Sequence, residues 1–404
     1  MRAKFILLLS FSFLALMGYS AEVSPEGKKL RYLTTVPDTL DLAERARLAV
    51  TGLTRFLNPQ QNYAPYGHAF FNGNPPFMTN GHGANGDWNW GKIAESLLMA
   101  RLMSGSEVNQ DIQAAMLRGM LTYTGYPGPI QVHPTSLSRI ILALMAMDQM
   151  SPDPASKEAL EKLAAALAAM PQHQSGLTFF SPYGPDWPPD SIDSAIGVGG
   201  YGQLAFHQGT PIRALARWSA YSGKKEYMTL ANQLKDYLLL PKFWQPEASP
   251  KAVTASDHGH LMGHIHSYTA ALMGLLSYAE VTDDVRLMQF VRDSYEYLRT
   301  FGLARIGLFG ETCATGDMTF LAIKLSDLGI GDYWEDADGY IRNHLTEMQI
   351  TDGKKMNEAL KSMPAAVAED STSETTLDVI SRCQGTFLSD STHPSLIPQH
   401  SLLW

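Results

Sequence analysis

Apolar residues recur at every third or fourth position through most of the chain, and the pattern comes in pairs: one helical arm, a short polar break, then a second arm. The segment IAESLLMARLMSGSEVNQDIQAAMLRGMLTY, from Ile93, breaks at Ser104-Gly105-Ser106. Four more follow: from Ser138 with a break at Ser151 to Pro154, from Pro211 at Ser222-Gly223, from Ser267 at Thr282 to Asp284, and from Met318 at Gly329 to Asp332. Each arm reads as amphipathic, and glycine, serine, aspartate and proline at the breaks stop one helix and cap the next. LDLAERARLAVTGLTRFL, from Leu40, predicts an eleventh arm, and KKMNEALKSMPAAVA, from Lys354, a weak further helix. Strand-like alternation is nearly absent. The hairpins recur too widely and unevenly for a short-period solenoid. The expectation is an all-α protein, an (α/α)6 toroid incomplete at its last hairpin, spanning residues 21–404.

The connections are more distinctive than the helices. NGHGANGDWNWG precedes the first hairpin, GPDWPPDSIDSAIGVGGYGQLAFHQGT the third, ASDHGHLMGHIH the fourth and GLARIGLFGETCATGD the fifth. All four therefore fall at the same end of successive hairpins, where a toroid gathers them around its axis and where binding groups concentrate.

Composition narrows the ligand. Charged residues make up 18%, the formal net charge is -9, and the basic residues are scattered, which excludes an electrostatic footprint for nucleic acid. Aromatic residues in the loops suit stacking on sugar rings. The first twenty residues read as a signal peptide: Arg2 and Lys4, the apolar run from Phe5 to Met17, and Gly18-Tyr19-Ser20 before a cleavage at Ala21. That run is too short to span a bilayer comfortably. The expected product is secreted or periplasmic, with no membrane attachment after cleavage. Cys313 and Cys383 are the only cysteines, enough for one bridge or a shared metal but not for a disulfide framework.

Four histidines, His258, His260, His264 and His266, fall within nine residues. Imidazole donates from one nitrogen and accepts at the other, which suits a sugar hydroxyl. Gly259 and Gly263 lie among these histidines, and no HExxH pattern accompanies them, so sugar binding is preferred over a metal; satisfied structural histidines are the alternative. Asp87 beside Trp88 and Trp90 has the make-up of a sugar site, or of a helix N-cap with core tryptophans. Asp186, Trp187, Asp190 and Asp193 repeat that theme, at least one as a turn residue. Glu311 and Cys313 offer the oxygen and sulfur donors that zinc accepts; a buried cysteine at a helix start and a glutamate bonded to backbone amides is the other reading. A glycosidase needs two groups flanking the scissile bond, and sequence does not give their separation.

On GHIHSYTAALMGLLSYAEVTDD, GETCATGDMTFLAIKLSDLGIGDYWEDADGYIRNHL and GDWNWGKIAESLLMARLMSG, the chain resembles the β-L-arabinofuranosidase family of glycoside hydrolases, as hairpin order over residues 80 to 350. The resemblance implies an (α/α)6 toroid followed by β-sandwich domains and a zinc-bound cysteine nucleophile. Glu311 and Cys313 match its Glu-x-Cys zinc ligands, and the histidine loop falls where the family binds substrate. Taken with the residue readings above, the expected catalytic residues are Glu311, Cys313 and His264, the expected substrate-binding residues Asp87, Trp88, His258 and His266, and the expected zinc ligands Glu311, Cys313 and Cys383. The family's adjacent cysteine pair has no match, since Cys383 stands alone in SRCQGTF, and the chain stops at Trp404 without β-sandwich domains. The expected activity is glycoside hydrolysis on oligosaccharide or polysaccharide. A polysaccharide lyase and a non-catalytic carbohydrate-binding protein are the alternatives.

Overall fold

The computed structural model describes residues 40–71, 73–79, 89–182, 188–189, 202–244, 265–303, 306–309, 312–361, 367–368, 374–388 and 401–402. The chain divides into two units, Met1–Asp41 and Leu42–Trp404, and the second carries all the described helices. Helix α1 is Leu42–Arg55. Five hairpins follow: α2 Asn89–Ser104 with α3 Gln110–Tyr123, α4 Pro134–Met150 with α5 Pro154–Ala168, and α6 Gly202–Ser222 with α7 Lys225–Leu238. The fourth is α8 Ile265–Thr282 with α9 Val285–Arg299, and the fifth α10 Thr312–Asp327 with α11 Trp334–Gly339. A wide π turn, Tyr340–Leu345, extends α11, and α12 (Gly353–Lys361) and α13 (Val379–Arg382) lie further on. Every expected break falls between the expected arms.

The packing order explains the architecture. The first arms pack on one another in sequence, α2 on α4, α4 on α6, α6 on α8 and α8 on α10, while each second arm packs on its own first arm. That is the inner and outer layering of an (α/α)6 toroid, and it corrects one sequence expectation. Two inner arms, α4 and α8, are not amphipathic. Every residue of α4 from Thr135 to Met145 is buried, and so is all of α8 from Ser267 to Leu272 and from Gly274 to Ala279. A helix covered on both sides has no polar face to show. The outer α9 keeps the one-sided pattern, burying Leu287, Met288, Val291, Tyr295 and Leu298. Each such side chain contributes about 1.5–3 kcal/mol of burial.

The inner helices also begin earlier than their apolar patterns suggest. The third hairpin was expected from Pro211, a residue favoured in a first helical turn. Helix α6 instead starts at Gly202 and carries Pro211 inside it. The Gln208 side chain anchors the preceding turn, accepting from Phe180 N at 2.8 Å and donating to Phe180 O and Leu204 O at 2.9 and 2.8 Å.

Helix α1 packs on α2 as an inner arm. Asn109, in the α2–α3 turn, donates to Thr54 Oγ1 near the C-terminal end of α1 at 2.8 Å, so α1 and α2 run in the same sense. The outer cover of α1 is irregular chain: a Cβ on Gly52 would sit 2.7 Å from Thr386 N and 2.8 Å from Gln384 O. The described strands are two or three residues long, among them His68–Phe70, which pairs antiparallel with Phe77–Thr79 and with Ser401–Leu402. Among the described residues, no helix is long and apolar enough to cross a membrane.

Candidate active site

The inner helices all start from the long-loop end, and their first two turns carry a charged and aromatic cluster: Glu95 on α2, Arg139 on α4, Phe206 and His207 on α6, His266 on α8 and Asp317 on α10. Asp317 is the hub. Its Oδ2 accepts from His266 Nδ1 at 2.9 Å and from Thr269 Oγ1 at 2.6 Å. Both side chains of the His266–Asp317 pair are about one-seventh exposed, at 13% and 14%. An acceptor-only carboxylate on Nδ1 fixes the imidazole orientation and makes Nε2 the second nitrogen of the ring. Assignment of that proton follows from the hydrogen bond.

Cations sit behind the carboxylates. Arg139 is buried, and burial pushes its guanidinium down to about 10, with Asp317 and Glu95 opposing that shift and Arg213 adding to it. It stays charged at neutral pH. Arg213 lies 4.0 Å from Glu95 and over the Phe320 ring at 4.7 Å. The Phe206 ring lies 5.5 Å from the Arg139 guanidinium and 5.6 Å from the His266 ring. Beneath them His207 is fully buried, its Nδ1 2.7 Å from Thr135 Oγ1 and its ring 4.6 Å from that of His133. Burial, then His133 and Arg139, hold it well below the usual histidine range, so it is neutral except in acid. His133 itself caps α4, accepting from Thr135 N at 3.3 Å.

A cavity of about 510 Å³ opens on this cluster, with Lys92, Glu95, His266, Gly316 and Asp317 in its wall. Two carboxyl groups bordering one cavity, one of them locked to an imidazole, can supply the paired acid and base or nucleophile that glycosyl chemistry needs.

His266 is the sequence-identified candidate that reaches this wall. Asp87, Trp88, His258, His264 and Glu311 lie outside the described residues, as does the side chain of Cys313, whose backbone is in the first turn of α10. Cys383 lies elsewhere, fully buried, with its thiol 3.8 Å from Met78 Sδ. Burial pushes that thiol up, which favours its protonated form. Among the described residues no three His, Cys, Asp or Glu side chains gather to hold a metal. Of the zinc ligands expected at Glu311, Cys313 and Cys383, only the Cys383 side chain is among the described residues, and it sits in core surroundings. Glu95, Arg139 and Asp317 escaped the sequence reading. For Asp317 the signal was its place six residues after Glu311 in an already noted loop, and for Arg139 its charge at the head of the apolar run IILALMAM; Glu95, between Lys92 and Arg101, gave no such signal.

No protein-family model matches the chain, and no curated protein matches it. Solved structures do. An inactive variant of the α-1,6-mannanase, a glycoside hydrolase of family 76, from Salegentibacter sp. HEL1_6, with two adjacent aspartates changed to asparagine and α-1,6-mannotriose bound, superposes with a TM-score of 0.53 at 12% identity, covering 77% of this chain and 89% of that one. A second inactive variant, with the same aspartates changed to alanine and mannotetrose bound, gives 0.51 at 11% identity, covering 86% and 97%. The family 76 α-mannanase of Bacteroides thetaiotaomicron gives 0.52 at 8% identity, covering 86% and 94%. These three are α-mannanases rather than β-L-arabinofuranosidases, and at such identities what the chain shares with them is the all-helical (α/α)6 toroid.

Proposed function

We propose that the protein is an exported glycoside hydrolase whose reaction centre is the cavity bordered by Asp317, His266 and Glu95, and whose substrate is a neutral α-mannoside. The observation that carries this reading is the Asp317–His266 pair opening on a cavity that Glu95 also lines. The fold shared with mannanases that were solved holding α-1,6-mannooligosaccharides supports the sugar class. Asp317, accepting from two donors, acts as nucleophile or base; Glu95 is the second carboxyl group; His266 binds a sugar hydroxyl. Asp87, Trp88, His258, His264 and Glu311, from the connections at that end, complete the sugar contacts.

The test is product release from α-1,6-mannotetraose, with a β-L-arabinofuranoside and a uronate polymer in the same panel. Wild type should release mannose or shorter oligosaccharides. Asp317→Asn should lower kcat by about a thousandfold or more, since loss of a catalytic carboxylate removes several kcal/mol of transition-state stabilisation. Arabinose release, or full activity of Asp317→Asn, would defeat the substrate or the site assignment respectively.

A second reading is a binding protein without turnover. The one adjacent aspartate pair in this sequence is Asp283-Asp284, and Asp284 caps α9 at the end away from the loops, its Oδ1 accepting from Leu287 N at 3.0 Å. Mannotetraose bound by wild type with no product would favour it.

A further inference from the structure

The cavity does not end with its polar groups. Leu42 and Leu53 of α1 both line it, as do Lys92 and Met103 of α2. Each pair is separated by eleven residues, so at 1.5 Å per residue the wall runs about 16 Å. Because α1 and α2 run in the same sense, this wall leads from the loop end toward the opposite end of the hairpins. Its chemistry changes on the way. Arg45, Lys92, Glu95, His266 and Asp317 stand at the loop end; Ala49, Leu53, Met99, Ala100 and Met103 line the stretch beyond. Met99 and Met103 are 41% and 57% exposed, on a helix whose other side is packed in the core. An elongated apolar wall joined to a polar head, with adaptable methionines along it, matches an amphiphile better than a polyhydroxylated chain, whose hydroxyls would lose hydrogen bonds there.

Resting on the glycosidase reading, we infer that the natural substrate is an aliphatic glycoside: the sugar sits at Asp317 and His266, and the alkyl aglycone lies along α1 and α2. Hydrolysis breaks the bond between the anomeric carbon and the aglycone oxygen. The hydroxyl of water goes to the anomeric carbon and its proton to the departing alcohol, giving free sugar and an aliphatic alcohol.

The experiment is calorimetric titration of the whole protein with butyl, hexyl and octyl α-D-mannopyranoside below their micelle concentrations, and with α-1,6-mannotriose. Each buried methylene should lower Kd about threefold to fourfold, roughly a hundredfold from butyl to octyl. Ala49→Phe, which fills the slot, and Met103→Lys, which places a charge at its far end, should flatten that series. Should Ala49→Phe fail to fold, Met103→Lys decides, because its side chain is exposed. Mannotriose binding with an equal Kd for all three alkyl mannosides would overturn the aglycone slot and leave the glycosidase reading standing. A steep series that persists in both variants would overturn the placement, and no binding of any of the four ligands would overturn the mannoside reading beneath it.

Discussion

Helices α6 and α8 touch backbone to backbone, and one methyl group tests how much of the fold depends on it. A Cβ built on Gly274 would stand 2.2 Å from the carbonyl oxygen of Gly209 and 2.7 Å from its carbonyl carbon and Cα. An ordinary carbon–oxygen contact is about 3.3 Å, so the two helices must part by about 1 Å. No side-chain rotation can relieve the clash, because both partners are main chain, and the flanking residues Ala270, Ala271 and Leu275 are buried. Overpacking of this kind costs about 1–3 kcal/mol, and a rigid backbone contact belongs at the upper end. Alanine returns about 1 kcal/mol of helix propensity over glycine. The net expectation for Gly274→Ala is a loss of about 2 kcal/mol, seen as a lowered urea midpoint at an unchanged m value. Gly209→Ala should cost a similar amount, since its Cβ would meet Ala270 O at 2.4 Å, and the double variant should fall short of the sum because both report one contact. Gly316→Ala, in α10 with nothing within 4 Å of its Cβ, is the control and should be neutral or stabilising. If Gly274→Ala melts with or above wild type while the control behaves, the close α6–α8 approach is wrong.

Further outcomes follow from the buried polar groups. Cys383→Ser should cost about 1–3 kcal/mol and more than Cys383→Ala, because it puts a hydroxyl where the thiol faces Met78; equal denaturation midpoints would deny the core role. His207 and His344 are both held below the ordinary 6.5 by burial, so the unfolded chain takes up their protons first as pH falls. Stability should be level above about pH 6.5 and drop below it, by up to about 1.4 kcal/mol per pH unit for each histidine, and His207→Asn should reduce the slope in melts between pH 7 and 5. Asp336 accepts from Tyr295 Oη at 2.7 Å and from Arg299 Nη2 at 3.0 Å, so Asp336→Ala should cost about 3 kcal/mol, whereas the exposed pair Arg342–Asp338 should tolerate Asp338→Ala within about 0.5 kcal/mol.

The hairpins were legible because an outer helix of a toroid has to present one apolar and one wet face, as α9 does, and because turn residues such as Ser222-Gly223 and Asp283-Asp284 punctuate them. The inner helices were legible in their bodies but not at their starts. Covered on both sides, α4 and α8 lack the periodicity that marks a helix start, so their first turns read as loop. That is why the site was only partly visible. His266 was noticed because it belongs to a dense histidine run, whereas its partner Asp317 lies 51 residues away and joins it only when α8 packs on α10. Arg139 carries the more general lesson. A cation within a fully buried stretch of helix costs several kcal/mol to desolvate unless opposite charge comes from elsewhere in the fold. Its presence in SRIILALM therefore calls for negative charge from other helices, and Asp317 and Glu95 are two carboxylates whose charge opposes the cost of burying it. In an all-helical ring, the charged residue that interrupts a buried arm points to the interior site more directly than the conspicuous loop residues do.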